Sequence, residues 1–144
     1  MSEYCNVKTQ FKDEDALVCA LLDMGKWTIE QIQRHADPVN LIGYHNDVRP
    51  QRAHLVIRKQ HVGSMSNDIG FERLPDGSFV AHISEFDKTH HKYNEDWMKQ
   101  VKQHYVYHVT RQQQEARGRR VSREWLPGSR PGTRKQLITI EGYR

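Results

Sequence analysis

The sequence predicts a single domain, residues 1–144, of the α+β class: a mostly antiparallel sheet with two helices on one face, in the order β-α-β-β-β-β-α-β-β. Three observations predict this architecture. Apolar residues alternate in several short segments, as in half-buried strands, and two longer segments carry apolar residues at helical spacing. A Pro-Asp-Gly turn joins two of the alternating segments directly, and 144 residues are the length of one ordinary domain.

The first three elements are a strand, a helix and a short helical turn. Residues 5–11 alternate as a strand, and Asp13 is a suitable N-cap for a helix that ends at Gly25. The apolar residues of this helix recur at helical spacing: Leu17, Ala20, Leu21 and Met24. Between Trp27 and Pro38 we expect only a short helical turn, because Pro38 stops a helix.

Four strands follow, in two pairs. The segments 39–44 and 53–60 are expected to be neighbours joined by a turn at Asn46 and Asp47, with Pro50 just outside the ladder. The second pair is the clearest hairpin in the chain, because alternating apolar residues flank the turn at residues 75–77. These residues are Ile69 and Phe71 before the turn, and Phe79, Ala81 and Ile83 after it.

The second helix is expected to follow the N-cap Asn94, to carry two acidic residues in its first turn and to end at Gly118. Because its apolar stripe needs a sheet to lie on, we expect a buried and an exposed set of side chains. The buried set is Trp97, Val101 and Tyr105, and the exposed set is Lys99, Lys102 and Gln103.

The closing part of the chain is strongly basic. Segments 121–125 and 136–143 are expected to pair as strands, and residues 126–134 form a long exposed loop between them. From Arg111 to Lys135 there are eight Lys and Arg against two acidic residues, a local charge of +6. The remainder, with 14 basic and 16 acidic residues, has a charge of −2. This local excess is the strongest functional indication in the sequence.

Composition narrows the class of protein. With 28% charged and 36% hydrophobic residues and no apolar run near the roughly 20 residues of a membrane span, we expect a soluble protein. The start of the chain has neither the basic nor the apolar region of a secretory signal, so we expect a cytoplasmic location. Cys5 and Cys19 are expected to remain free thiols, which argues against a disulfide framework and a thiolate zinc site.

Five short segments spread over the whole chain form a recognisable set. They are Asn6-Val7-Lys8-Thr9-Gln10, Ala20-Leu21-Leu22-Asp23-Met24-Gly25, Gly43-Tyr44, Asp68-Ile69-Gly70-Phe71 with Asp76-Gly77, and Tyr105-Val106-Tyr107-His108. On these segments the chain resembles a small family of unknown function, known from chloroplast genomes as hypothetical reading frame thirty-five and found also in cyanobacteria, other bacteria and phages. None of them is a catalytic signature, so the resemblance implies a fold and no activity. The chain departs from the family at residues 27–38 and in its Arg-rich end.

The candidate ligand site combines aromatic rings and fixed positive charge on one connected segment. Rings stack on nucleobases, and arginine binds phosphate through two N–H groups at once, so this combination suits a phosphate-bearing ligand. The candidate ligand-binding residues are His104, Tyr107, His108, Arg111, Arg117, Arg119, Arg120, Arg123, Arg130 and Arg134. We expect no catalytic residue, no metal ligand and no cofactor.

Other interpretations of these residues remain open. His104 and His108 have the spacing with which a helix offers two nitrogens to zinc, but Tyr105 stands where a metalloprotease carries Glu, and no third ligand is obvious. Covering a sheet edge is an alternative role for Tyr107, of equal weight with facing a ligand. Part of the arginine cluster needs no ligand, because cations at the end of a helix complement its dipole.

The sequence therefore favours a non-enzymatic binding protein. The usual catalytic motifs are absent, and Glu85 with Asp87 would need a pocket built around them to act as acid and base. We expect the ligand to be phosphorylated and nucleotide-like, for sequestration or sensing, as in a phage-type sponge for a nucleotide immune signal. The alternatives are a nucleic-acid-binding module that uses the same arginines, and an accessory subunit that docks an acidic protein. Assembly as a homo-oligomer is also left open.

Overall fold

The computed structural model describes residues 2–142, which fold into two antiparallel sheets and four helices. The strands are β1 (Tyr4–Lys8), β2 (Gln33–Ile42), β3 (Val48–Ile57), β4 (Ile69–Arg73), β5 (Phe79–Ser84), β6 (Arg120–Pro127) and β7 (Arg134–Glu141). The helices are α1 (Glu14–Asp23), α2 (Lys59–Val62), α3 (Glu85–His90) and α4 (Glu95–Glu115), and one 3₁₀ turn covers Ile29–Gln31.

The larger sheet has the strand order β1-β5-β4-β3-β2, and β6 pairs with β7 in a separate two-stranded sheet. All strand pairs are antiparallel. The α+β class, the antiparallel sheet and the order of the main elements are therefore confirmed. The short helices α2 and α3 are additional, because four and six residues are too few to produce a clear helical pattern.

The long helices α1 and α4 pack on the same core as the sheet. Its largest fully buried side chains include Leu17 and Leu21 of α1, Val101 of α4, and Phe71 and Phe79 of the sheet. A smaller cluster of Leu41, Ala53 and Val56 forms apart from this core. The side chain of Asp13 accepts a hydrogen bond from Ala16 N at the start of α1, and Asn94 accepts one from Trp97 N at the start of α4, as predicted.

The predicted bounds of the first two strands need correction. β1 ends at Lys8 and not at residue 11. β2 begins at Gln33, inside the segment predicted to be a helical turn, and the turn itself is confined to Ile29–Gln31. Pro38 is tolerated because β2 is an edge strand and its register with β3 shifts between Arg34 and Val39.

β3 and the closing strands also differ from prediction. Pro50 lies inside β3, next to a second shift in register, and residues 59–60 belong to α2 instead of the strand. β6 is longer than predicted and β7 begins two residues earlier, so the loop between them shrinks to residues 128–133. Tyr143, the predicted end of the last strand, lies outside the described residues.

The predicted stripe of α4 is confirmed in part. Trp97 and Val101 are buried, and Lys99 and Lys102 are exposed. Tyr105 is half-buried, because its ring packs on Phe11 while its hydroxyl accepts hydrogen bonds from the N–H groups of Lys12 and Asp13. Gln103 is also half-buried and not exposed, since it packs against the β6–β7 hairpin.

Two residues of the recognisable segment Asp68-Ile69-Gly70-Phe71 have a structural explanation. The buried carboxylate of Asp68 accepts hydrogen bonds from Ile42 N, Lys59 N and Arg58 Nη1, each at 2.7 Å. A Cβ atom at Gly70 would lie 2.5 Å from the Cβ of Ala53, so this position cannot carry a side chain without displacing the neighbouring strand. These residues build the sheet and leave the ligand site to other segments.

Two further predictions concern the cysteines and the membrane-spanning potential of the helices. Cys5 and Cys19 are free thiols, as predicted. Over residues 2–142, the longest helix lacks the continuous apolar stretch that crossing a bilayer would require, and so do the shorter ones.

Candidate functional site

The end of α1, the middle of α4 and strand β6 meet at one carboxylate. Asp23 Oδ2 lies 2.6 Å from His108 Nε2, 3.2 Å from His104 Nδ1 and 3.4 Å from Arg123 Nη2. We call these four residues the Asp23 clasp. It joins parts of the chain that are up to 100 residues apart.

Local structure explains why these side chains converge. Asp23 is the last residue of α1, where the helix dipole disfavours negative charge, so cationic neighbours offset this cost. His104 and His108 are four residues apart and therefore lie on the same face of α4. Arg123 is half-buried and Ser122 and Glu124 beside it are exposed, so alternation along β6 turns Arg123 towards the helix.

Burial and charge shift the titration of two clasp residues. Burial lowers the pKa of His104, and this outweighs the opposing effect of the Asp23 carboxylate. Burial would raise the pKa of Asp23, but the hydrogen bond from His108 and the charges of His108, His104 and Arg123 together lower it. At neutral pH the clasp therefore contains an ionised Asp23 and a neutral His104.

The neutral state of His104 fits its contact with Arg123. Arg123 Nη1 lies 3.0 Å from His104 Nδ1, and a guanidinium can only donate hydrogen bonds. In the neutral tautomer with its proton on Nε2, Nδ1 of His104 accepts from Arg123, whereas in the tautomer with its proton on Nδ1 it donates to Asp23 Oδ2, 3.2 Å away. The proton on Nδ1 thus decides which of the two groups His104 binds within the clasp.

A row of alternating rings and guanidinium groups extends from the clasp along the hairpin. The guanidinium of Arg123 lies 4.0 Å from the ring centre of Tyr107 and 5.4 Å from that of Trp125. The guanidinium of Arg134 also lies 4.1 Å from the ring centre of Trp125. We call Tyr107, Arg123, Trp125 and Arg134 the cation–aromatic ladder. It lies where the β6–β7 hairpin packs on α4, and we call this surface junction the cleft.

Two glutamine side chains hold the hairpin against α4 by hydrogen bonds to main-chain oxygens. Gln136 Nε2 donates to the main-chain oxygen of Gln103 at 2.7 Å, and Gln103 Nε2 donates to that of Arg134 at 3.3 Å. Gln136 Oε1 also accepts from Arg123 Nη1 at 3.3 Å. The hairpin is thereby attached to α4 through β7 as well as β6.

The structure brings together half of the predicted ligand-binding residues. His104, Tyr107, His108, Arg123 and Arg134 belong to the clasp or the ladder. The other five lie elsewhere on the surface, and each of them is exposed: Arg111, Arg117, Arg119, Arg120 and Arg130.

Three of these exposed arginines have side-chain partners outside the cleft. Arg111 pairs with Glu115 at 3.3 Å, Arg119 donates to Gln114 at 2.7 Å, and Arg120 lies 3.8 Å from Glu141. Arg117 follows the last turn of α4, and Arg130 lies in the loop between β6 and β7. These residues add positive charge around the hairpin without converging on one point.

Two other candidate sites are the His104–His108 pair as a metal site and Glu85 with Asp87 as an acid and base. Both imidazoles of the His104–His108 pair have a nitrogen directed at Asp23, and residues 2–142 contain no group of three or more His, Cys, Asp or Glu side chains arranged for a metal ion. Glu85 is exposed, whereas Asp87 is buried and accepts hydrogen bonds from Ser84 and Asn67.

Sequence reasoning missed Asp23, Trp125 and Gln136 as parts of the site. One signal for Asp23 was present, since an acidic residue in the last turn of a helix needs a cationic partner. Trp125 and Gln136 had no comparable signal, because their roles depend on strand register. Trp125 pairs with Gln136 across the hairpin, and this places both on the face towards α4.

Fold and site together define an α+β protein with a cation- and aromatic-lined cleft between a long helix and a terminal hairpin. A family model described as "Protein of unknown function (DUF1257)" matches residues 20–126, and the chain belongs to this family. The matched residues include the whole Asp23 clasp and Trp125, whereas Arg134 and Gln136 lie beyond them. No curated protein and no solved structure matches the chain.

Proposed function

We propose that the protein binds a phosphorylated, nucleotide-like small molecule in the cleft between α4 and the β6–β7 hairpin, without catalysing a reaction. The observation that carries the proposal is the cation–aromatic ladder. It combines a surface for a nucleobase with guanidinium groups for phosphate. Sequestration or sensing of a nucleotide signal, as by a phage-type sponge, would need no more than this.

Trp125 and Arg134 are the two ladder residues best placed to meet a ligand. Trp125 is half-buried and Arg134 is exposed, so the guanidinium can leave the ring without breaking the fold. A base that stacks on Trp125 would replace Arg134, and stacking of this kind contributes about 1–3 kcal/mol. The released Arg134 would then bind the phosphate through two N–H groups.

Arg123 has a different part in this proposal. Its guanidinium already contacts Asp23, His104 and Gln136, so it is not free to bind a phosphate directly. It orients Tyr107 and Trp125 instead. The five exposed arginines outside the cleft would raise the rate at which an anion arrives, since clustered surface charge steers ligands.

The second candidate function is nucleic-acid binding. It is favoured by the distribution of the exposed cations along the hairpin and the end of α4, because a two-stranded ribbon fits the major groove of DNA. These cations are Arg117, Arg119, Arg120, Arg130 and Lys135. A duplex would contact many of them at once, whereas a small ligand would depend on Arg134 alone among the exposed cations.

One pair of variants separates the two functions. Arg134 pairs with Pro127 and Lys135 with Leu126, so adjacent cations of β7 lie on opposite faces of the hairpin. Calorimetry with mono-, di- and cyclic nucleotides should show that Arg134→Ala loses binding while Lys135→Ala keeps it. Equal losses in both variants, with affinity falling steeply as salt rises, would favour nucleic acid. Wild-type affinity in Arg134→Ala would remove this residue from the site.

We also infer that the family is the one known from chloroplast genomes as hypothetical reading frame thirty-five. The support is the set of five short segments, two of which meet in the clasp. Asp23 comes from the segment that ends α1, and His108 comes from the segment in α4. In this family we expect the contact between Asp23 and His108 to be retained even where the Arg-rich end differs.

A further inference from the structure

A second groove lies on the opposite side of α4 from the clasp. It encloses about 730 Å³ between β1 with the residues that follow it and the first three turns of the helix. Helix α4 lines it through Met98, Lys102 and Val106, and Lys102 and Val106 are each about 200° around the helix from His104. We call it the β1–α4 groove. It shares no residue with the cation–aromatic ladder.

The groove is bordered by the end of β1, whose edge away from β5 pairs with no other strand among residues 2–142. β1 is the first strand of the five-stranded sheet. Thr9 N donates to Phe79 O, and Glu85 N donates to Glu3 O, so the odd-numbered residues of β1 direct their main-chain groups towards β5. Asn6 and Lys8 therefore direct their N–H and C=O groups outward, and both residues are exposed. An edge of this kind is a template for another strand.

The groove has an apolar floor and a basic rim. Val7, Phe11 and Met98 contribute to the floor. Four lysines line the groove against one acidic residue, Glu95, and they are Lys8, Lys88, Lys99 and Lys102. Among the described residues, Lys88 alone of these four has an acidic neighbour within ion-pair distance, Glu85 at 3.9 Å. The rim therefore favours a negatively charged occupant.

We propose that the β1–α4 groove binds an acidic, extended segment of a partner protein, which adds to β1 as a further antiparallel or parallel strand. The main-chain groups of Asn6 and Lys8 supply the hydrogen bonds, and the four lysines select acidic side chains over basic ones. Residues 95–106 of α4 extend for about 18 Å, which accommodates about five residues of an extended chain. This inference is independent of nucleotide binding in the other cleft.

A designed peptide tests the groove directly. The probe is a fluorescent peptide of about seven residues in which Glu and Val alternate, and the comparison peptide carries Lys in place of each Glu. Fluorescence anisotropy should show binding of the acidic peptide only. Failure of the acidic peptide to bind, or equal binding of the basic one, would overturn the proposal.

Charge reversal in the protein tests which cations act. Lys99→Glu with Lys102→Glu should weaken binding of the acidic peptide by about tenfold or more, because both lysines line the groove and are exposed. The control is Arg117→Glu with Lys135→Glu, which makes the same change in total charge on exposed residues away from the groove. Equal weakening in both double variants would mean that net charge alone attracts the peptide, and would contradict the proposal.

Amide hydrogen exchange tests strand addition. The main-chain amides of Asn6 and Lys8 should exchange more slowly once the acidic peptide is bound, because they become hydrogen-bonded. A bound peptide that leaves both amides unprotected would contradict strand addition. The double variant in the groove should still bind nucleotides, and Arg134→Ala should still bind the peptide, so failure of one proposal would be distinguished from failure of the other.

Discussion

One carboxylate oxygen of Asp23 lies within 3.4 Å of nitrogen atoms on three side chains. It neutralises Arg123 and accepts a hydrogen bond from His108. Its negative charge is unfavourable at the end of α1, and the positive charge of Arg123 compensates it. These contacts hold Arg123 in place beside Tyr107 and Trp125. Asp23 is therefore a positioning residue for the cation–aromatic ladder.

Replacing Asp23 with Asn should lower the free energy of unfolding by about 1–3 kcal/mol, since its partners lose a charged acceptor while partly buried. The matched control is Glu124→Gln, which also converts a carboxylate to an amide but lies exposed on the outer face of β6. We expect this control to stay within about 0.5 kcal/mol of the wild type. Chemical denaturation measures both, and equal stability of the two variants would show that the clasp contributes nothing to folding.

The lowered pKa of His104 predicts a loss of stability in acid. Because the folded protein resists protonation of His104 and the unfolded chain does not, the unfolded state binds more protons below its ordinary pKa of about 6.5. Stability is therefore fully present above that pH and falls as pH decreases towards the folded-state pKa. His104→Gln should flatten the dependence of unfolding free energy on pH between about 7.5 and 5. An unchanged slope would contradict this assignment.

Arg119 and Arg123 should differ strongly when each is replaced by alanine. Arg119 is exposed and its side chain donates to the neutral Gln114, so Arg119→Ala should change stability by less than about 0.5 kcal/mol. Arg123→Ala should destabilise the protein measurably and also reduce nucleotide binding, because both the clasp and the ladder lose a member. Thermal unfolding and calorimetry of the two variants check this, and equal stability would remove Arg123 from the clasp.

At the scale of elements, the β6–β7 hairpin depends on its contacts with α4 and α1. A two-stranded hairpin alone is marginally stable in water, and this one forms its own sheet apart from the five-stranded one. The clasp and Gln136 are its polar attachments, and Val121 is its buried apolar one. The position of the hairpin against α4 therefore depends on these polar and apolar contacts.

Breaking an attachment should loosen the hairpin without unfolding the rest. In Gln136→Ala, amide hydrogen exchange should become faster in residues 120–141 while β4 and β5 retain wild-type protection, because local opening needs less free energy than global unfolding. Mass spectrometry of peptic fragments resolves the two regions. Uniformly faster exchange across the chain would show instead that the hairpin and the main sheet unfold together.

The sequence predicted some elements well and others poorly for identifiable reasons. The β4–β5 hairpin was found because its apolar residues alternate around a strong turn signal, and α4 because its cap and stripe are both visible. The start of β2 was missed because residues 33–38 are polar and include a proline, which only an edge strand with a shifted register accommodates. The pairing of His104 with His108 could be predicted, but Asp23 lies 81 residues from His104 and is brought there only by the packing of α1 on α4.

At the scale of the whole molecule, the hydrophobic core and the excess positive charge lie in different parts of the chain. The core is formed by the five-stranded sheet with α1 and α4, whereas the excess positive charge lies from the end of α4 through the hairpin. Variants in the core should therefore reduce stability first, and variants of the exposed cations should reduce binding first.

Close packing in the main sheet gives a direct test of this division. Gly70→Ala should destabilise the protein by about 1–3 kcal/mol, because the new methyl group would lie 2.5 Å from the Cβ of Ala53 and 2.8 Å from Leu41. The control is Gly142→Ala, where the added atom has no neighbour within 4 Å and little change is expected. Thermal unfolding of both decides the matter, and a neutral Gly70→Ala would show that the sheet can adjust.

The central claim is that the ladder holds a phosphorylated, nucleotide-like molecule, and mass spectrometry of the compounds released on denaturing the purified protein tests it most directly. The comparison uses the wild type, Trp125→Ala, and Leu126→Ala, which alters the neighbouring residue on the outer face of β6. We expect a phosphorylated compound that absorbs ultraviolet light from the wild type and from Leu126→Ala, and its loss from Trp125→Ala. Release of no such compound from the wild type, or of equal amounts from all three proteins, would contradict the claim.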